Sequence, residues 1–132
     1  MSNPYQKYKA TSVQSASREK ILLMLYEAAI KFTKKAIIAC ENKDIAERGL
    51  NIGKAYDIVS ELNNTLNHKV APELCQNMEQ LYMFITDKLI KANISGDVKH
   101  LNEALKILEI LNQGWVQAIE KLKKEGKTSQ SA

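Results

Sequence analysis

Apolar residues recur at steps of three and four along most of the chain, and they divide it into four segments. In the first segment, over about residues 17–41, they occupy positions 22, 25, 29, 32, 36 and 40. This spacing places side chains on one face of an α-helix. It recurs over about residues 44–67, 72–93 and 97–124. The pattern therefore predicts four amphipathic helices.

Short breaks separate the segments and carry helix start signals. The candidates are Ser15 or Ser17, Asp44 with Glu47 in a capping-box pattern, Pro72 in a first turn, and Asp97. Long helices joined by short connections run antiparallel to their neighbours. We predict an all-α fold: a single-domain, antiparallel up-down-up-down four-helix bundle over residues 1–132, with a flexible N-terminal arm (1–16) and a short basic C-terminal tail.

Composition and charge refine this prediction. The 132 residues are 45% hydrophobic and only 6% aromatic, which suits one helical core. The formal net charge is +4, but several lysines lie near the chain ends, where charged runs are usually solvated. We see no basic helix face in the sequence, so a nucleic-acid-binding module is the least favoured alternative and no nucleic-acid partner is expected.

The sequence also indicates a cytoplasmic protein without membrane insertion. No apolar run reaches the roughly 18 residues that a membrane span requires, and residues 1–20 lack the apolar stretch of a signal peptide. Cys40 and Cys75 both fall within apolar helical patterns. Without a secretory context they are expected to be free, buried thiols.

A search for reactive side chains finds no catalytic arrangement. His68 lies in a connection, and His100 has only Glu103 at a helical ligand spacing, which is too few groups for a metal site. The Gly53–Lys54 pair lies inside a helix without the loop that cradles phosphate. We therefore predict a protein that is not an enzyme and has no cofactor or metal.

The second helix carries more apolar surface than one core contact requires. Its residues form two adjacent apolar lines: Ile45, Ile52, Tyr56 and Val59, and then Ala55, Ile58, Leu62 and Leu66. One contact needs a stripe about 100° wide. Such a surplus indicates either a homodimer seam or a groove for an amphipathic peptide helix, so a binding module and a self-associating scaffold both remain open.

Five blocks of sequence resemble, in order and spacing, the FliS family of flagellin export chaperones. They are "NPYQKYKATSV" at 3–13, "LMLYEAAIKF" at 23–32, "NIGKAYDIVSELNNTLN" at 51–67, "LYMFITDKLIKANISGD" at 81–97, and Trp115. The resemblance covers almost the whole chain. It implies a helical bundle in the bacterial cytosol that binds the disordered C-terminal segment of flagellin.

The resemblance further implies that the protein prevents premature flagellin polymerisation and delivers flagellin to the flagellar type III export gate. Regulatory proteins share the flagellin site in some members of the family. The alternative is a self-associating helical scaffold or regulatory adaptor of flagellar assembly.

The resemblance implies that Tyr5 and Tyr8 correspond to the N-terminal segment of the family, which acts as a displaceable lid over the flagellin site. It assigns the first-helix signature to Leu25 and Tyr26. The remaining positions expected near the flagellin track lie on the second helix: Ile52, Lys54, Ala55, Ile58 and Leu62.

Overall fold

Four α-helices make up the described part of the chain. The computed structural model describes residues 17–131, with side chains described for 17–126. The helices are α1 (Arg18–Glu41), α2 (Ile45–Asn64), α3 (Pro72–Ser95) and α4 (Val98–Ser131). The predicted all-α fold is confirmed.

The predicted start signals act as helix caps. The Ser17 hydroxyl accepts a hydrogen bond from the Lys20 N–H at 3.2 Å, and an Asp97 carboxylate oxygen accepts one from the Lys99 N–H at 2.9 Å. Asp44 accepts from the Glu47 N–H at 3.1 Å. The reciprocal half of the capping box is absent at this described site, because the Asp44 N–H bonds to the Ala39 carbonyl at 2.8 Å.

Two residues in left-handed conformation close the first and third helices. Lys43, with φ of 57°, follows α1, and Gly96, with φ of 73°, follows α3. A Cβ atom on Gly96 would lie 2.6 Å from Nη1 of Arg48. Arg48 meanwhile donates from Nη2 to the Asn93 carbonyl at 3.1 Å. Glycine therefore lets α2 reach the end of α3.

The ends of two helices differ from the prediction. α2 ends at Asn64, short of the predicted residue 67. α4 continues to Ser131, past the predicted residue 124, so the expected basic tail is helical over its described part. No proline interrupts α4, and Gly126 costs only about 1 kcal/mol relative to alanine. The helix therefore continues through the lysine-rich sequence.

The helices pack in a ring, in which α1 and α3 each lie against both α2 and α4. Neighbours are antiparallel. The Lys88–Glu103 ion pair joins α3 to α4 at 2.7 Å, and the Arg48–Asn93 hydrogen bond joins the start of α2 to the end of α3. This arrangement is the predicted up-down-up-down bundle.

The core contains residues from all four helices. Those with no exposed surface include Tyr26, Ala29, Ala36, Ala55, Val59, Leu62, Ile85, Leu89, Leu101 and Leu108. The alanines bring helix backbones close together, while leucine and isoleucine supply most of the buried apolar volume. Both cysteines are free as predicted, but only Cys75 is buried; Cys40 is half-buried.

Candidate functional site

An apolar groove opens at one end of the bundle, where the start of α1, the end of α2 and the start of α3 meet. Its volume is about 570 Å³. The apolar side chains that line this "end groove" include Ile21, Leu22, Leu25, Leu66, Val70, Leu74 and Met78. A cavity of this size and composition suits several apolar side chains of a bound segment.

The connection between α2 and α3 contributes five residues to the lining of the end groove. This connection covers residues 65–71 and is longer than the other two described connections. It leaves Leu22 and Leu25 half-buried, and Leu74 is 51% exposed. Exposed leucine beside a concave apolar surface is typical of a protein-binding site.

Three aromatic residues from three helices form the floor of the end groove. Tyr82 and Trp115 line it, while Tyr26 is fully buried. The Tyr26 and Tyr82 hydroxyl oxygens lie 2.6 Å apart in a hydrogen bond. Trp115 donates from Nε1 to the Tyr26 hydroxyl at 3.3 Å. The chain of hydrogen bonds fixes the floor across α1, α3 and α4.

The hydroxyl groups of this floor stay neutral at physiological pH. Burial raises the pKa of Tyr82, and proximity to Tyr26 raises it further. Burial also raises the pKa of Tyr26, against the hydrogen bonds from Tyr82 and Trp115, which lower it. Because the floor carries no charge, an apolar segment can cover it without removing water from a charged group.

The start of α1 lies at the edge of the end groove, where Arg18 and Glu19 contribute to its lining. Residues 1–16 are therefore joined to the bundle at this edge.

A profile described as "Flagellar protein FliS" matches residues 1–122 of the chain. The chain belongs to the FliS family. The "Flagellar secretion chaperone FliS" of Bacillus subtilis is 36% identical over 123 residues, which cover 93% of this chain and 91% of that relative. The protein of the same name from Vibrio cholerae is 31% identical over 121 residues, covering 89% of each chain.

The fold agrees with this membership. A solved structure described as "Crystal structure of flagellar chaperone from bacteria" superposes with a TM-score of 0.74 and covers 89% of this chain and 95% of that one, at 20% identity. At that identity the likeness concerns the fold. The FliS resemblance predicted from the five sequence blocks is confirmed by the family match.

Of the positions assigned from the FliS resemblance in the N-terminal part, one lies in the end groove. Leu25 lines the groove and is half-buried. Tyr26 lies beneath it, with no exposed surface and its hydroxyl bonded inside the bundle, so it supports the floor and does not face a ligand. Tyr5 and Tyr8 lie outside the described residues.

The positions assigned on α2 do not line the end groove. Ile52, Ala55 and Leu62 belong to the core, with exposed fractions of 4%, 0% and 0%. Ile58 is half-buried and packs against the same core. Lys54 is exposed, and its ammonium group lies 5.1 Å from the centre of the Phe32 ring. The apolar line through residues 55 and 62 faces inward because α2 packs between α1 and α3.

Several groove residues were absent from the sequence-based site. Leu66, Val70, Leu74 and Met78 lie at or near the ends of α2 and α3. The sequence feature that could have pointed to them is the presence of apolar residues in and beside a connection, such as Val70, which is 78% exposed. Because a polar connection is the usual expectation, an exposed valine there indicates a contact surface.

Removing the Tyr26 hydroxyl should destabilise the bundle more than removing that of Tyr82. Tyr26→Phe leaves both Tyr82 and Trp115 without their partner, whereas Tyr82→Phe leaves the Trp115–Tyr26 bond in place. An unpaired buried polar group costs about 1–3 kcal/mol. We expect losses in the free energy of unfolding of about 2 kcal/mol for Tyr26→Phe and about 1 kcal/mol for Tyr82→Phe. Urea unfolding measures both, and the reverse order would contradict the hydrogen-bond assignment.

The described side chains form no metal site. No group of three or more His, Cys, Asp or Glu side chains within that part of the chain is arranged to hold a metal ion. His68 instead pairs with Glu79 at 3.4 Å. Burial raises the pKa of the Cys40 thiol, which disfavours the reactive thiolate.

None of the described helices combines the length and the apolar character that crossing a bilayer requires.

Proposed function

We propose that this protein is a flagellar secretion chaperone that binds the disordered C-terminal segment of flagellin, with the end groove as a principal contact. The observation that carries this proposal is a mainly apolar groove, with Arg18 and Glu19 at its edge, that opens at the end of a bundle whose family match spans residues 1–122. The relatives from Bacillus subtilis and Vibrio cholerae carry the name flagellar secretion chaperone.

The physical demands of a disordered client support this proposal. A segment that orders on binding loses conformational entropy, so it needs extended apolar contact. The end groove offers Leu22, Leu25, Leu66 and Leu74 within one concavity. Covering the flagellin segment there would keep it from polymerising until it reaches the type III export apparatus. We place this activity in the bacterial cytosol, with regulatory proteins as further candidates for the same groove.

The proposal extends to the N-terminal arm. Residues 1–16 join the bundle at the edge of the end groove. Tyr5 and Tyr8 have apolar rings that fit a leucine-lined groove and hydroxyls that stay hydrated. In this proposal the arm covers the groove in the free protein and leaves when flagellin binds.

The test is titration of the full-length protein with a peptide of the flagellin C-terminal segment. Trp115, the single tryptophan of the chain, lines the end groove and reports its occupancy by fluorescence. We expect a one-to-one complex and a change in tryptophan emission. A scrambled peptide is the control. A constitutive dimer in light scattering that ignores the peptide would favour the self-associating scaffold instead.

Replacing Tyr5 and Tyr8 by alanine should tighten flagellin binding. When the arm covers the groove, flagellin can bind only to the fraction of the protein whose groove is open. The apparent affinity is then the intrinsic affinity multiplied by that fraction. We expect an increase in affinity of about 3- to 10-fold, with an unchanged melting temperature. Stopped-flow fluorescence should show a faster association rate. Unchanged affinity and rate would count against the lid and leave flagellin binding itself untouched.

A further inference from the structure

Four lysines surround the outer side of α1. Lys31, Lys34 and Lys35 lie on α1, and Lys54 comes from α2. The ammonium groups of Lys31, Lys35 and Lys54 lie 5.5, 5.7 and 5.1 Å from the centre of the Phe32 ring. We call this surface the lysine face. The expectation that no helix carries a basic face was wrong, because Lys31, Lys34 and Lys35 are spaced three and four residues apart on α1. Lys54 joins them through the packing of α2 against α1.

The ammonium groups of the lysine face are not neutralised within the described part of the chain. Lys31, Lys34, Lys35 and Lys54 form no ion pair there. Elsewhere in the bundle lysines do pair, Lys88 with Glu103 at 2.7 Å and Lys91 with Asp87 at 3.0 Å. Three like charges around one ring repel one another, and an incoming carboxylate relieves that repulsion.

A groove between α1 and α4 is lined by three of these lysines, Lys31, Lys34 and Lys35, and by three isoleucines among other polar residues. Its volume is about 760 Å³. Ile38 and Ile110 contribute to its lining and are 56% and 55% exposed. Ile30 lies two helical turns before Ile38, a span of about 12 Å along α1. Two turns of a bound helix match this length.

Two carboxylates decide between the possible anionic partners. Glu27 and Glu109 line the same groove as the lysines. A continuous polyphosphate or a sheet of anionic lipid would meet these carboxylates as well as the lysines and would be repelled by them. A peptide can place its acidic residues against the lysines and its apolar residues against Ile38 and Ile110.

We propose that the lysine face and the adjoining groove dock an acidic amphipathic helix of a second protein. Apolar side chains of that helix pack between α1 and α4, and its carboxylates meet Lys31, Lys35 and Lys54. The surface uses the middle of α1, whereas the end groove uses its first turns. The second protein can therefore bind while the end groove is occupied.

The probe is a synthetic helical peptide with leucines along one face and glutamates on both flanks. We expect binding that weakens as salt rises, and NMR shifts centred on the middle of α1. K35E/K54E should lower the affinity at least 10-fold. The control K91E/K121E changes two exposed lysines elsewhere by the same charge and should lower it less than 2-fold. K35Q/K54Q serves if charge reversal disturbs folding, which circular dichroism checks.

Other results would overturn the proposal. Equal losses in the two glutamate variants would show an effect of net charge alone. Tighter binding of a single-stranded oligonucleotide, or of phosphatidylglycerol vesicles, than of the acidic peptide would assign the surface to phosphates. Displacement of the probe by the flagellin peptide would make the lysine face part of the flagellin site. Failure of the probe to bind would leave the result of the flagellin titration unaffected, so the two proposals are tested separately.

Discussion

Replacing Leu62 by alanine should lower the free energy of unfolding by about 3 kcal/mol, within the range of about 2–5 kcal/mol for such truncations in a core. Leu62 has no exposed surface and packs in the core cluster. The loss combines the transfer energy of the deleted methyl groups with the cavity they leave. Flagellin binding measured well below the unfolding midpoint should be unchanged, since a bound segment does not reach this side chain.

Leu66→Ala is the matched comparison, four residues later in the connection that follows α2. Leu66 is half-buried and lines the end groove. We expect a smaller loss of stability, about 1 kcal/mol, because part of the side chain already contacts water. The same change should weaken binding of the flagellin peptide. If Leu62→Ala kept its stability but bound the flagellin peptide more weakly, Leu62 would belong to the binding site and not only to the core. That result would support the sequence-based site on α2.

Replacing Leu74 by glutamate should weaken flagellin binding about 100-fold while leaving the bundle folded. Leu74 lines the end groove and is 51% exposed in the free protein. Binding would bury it, so the change removes apolar contact and forces a carboxylate out of water. Together these effects amount to about 3 kcal/mol, which corresponds to about 100-fold in affinity. Because residue 74 lies in the first turn of α3, the helix dipole favours the new charge.

Ile45→Glu controls for charge and for helix position. Ile45 is the first residue of α2 and is 70% exposed. It lies at the far end of α2 from the residues that line the end groove. We expect unchanged peptide affinity by isothermal titration. If both variants lost binding equally, the flagellin site would not be localised to the end groove.

The sequence predicted the helices well because their determinants are local. Ser17, Asp44 and Asp97 are short polar side chains placed one turn or less before a hydrophobic repeat, and each caps its helix. The orientation of α2 depended on long-range packing instead. Its two apolar lines are similar in composition, and contact with α1 and α3 buries residues of both, such as Val59 and Leu62, while Ile45 at the start of the helix stays exposed.

The site was harder to predict than the fold. Tyr26 belongs to a sequence block of the FliS resemblance, yet its partners Tyr82 and Trp115 are distant in sequence, at separations of 56 and 89 residues. A hydrogen-bonded floor of this kind has no local pattern. The end groove likewise depends on where α2 stops relative to α1, and propensity does not define helix ends to within a turn.

The long helix α4 has two parts, one packed in the bundle and one whose turns are exposed to water. Ile119 is the last buried residue among the side chains described, and those of residues 120–126 are exposed. The packed part of α4 supplies the nucleus, so the exposed turns need only propagation, one hydrogen bond for each residue fixed. The free energy of propagation in water is close to zero, and propagation weakens gradually on warming. The C-terminal turns should therefore melt by helix–coil transition, well before the bundle unfolds as a unit.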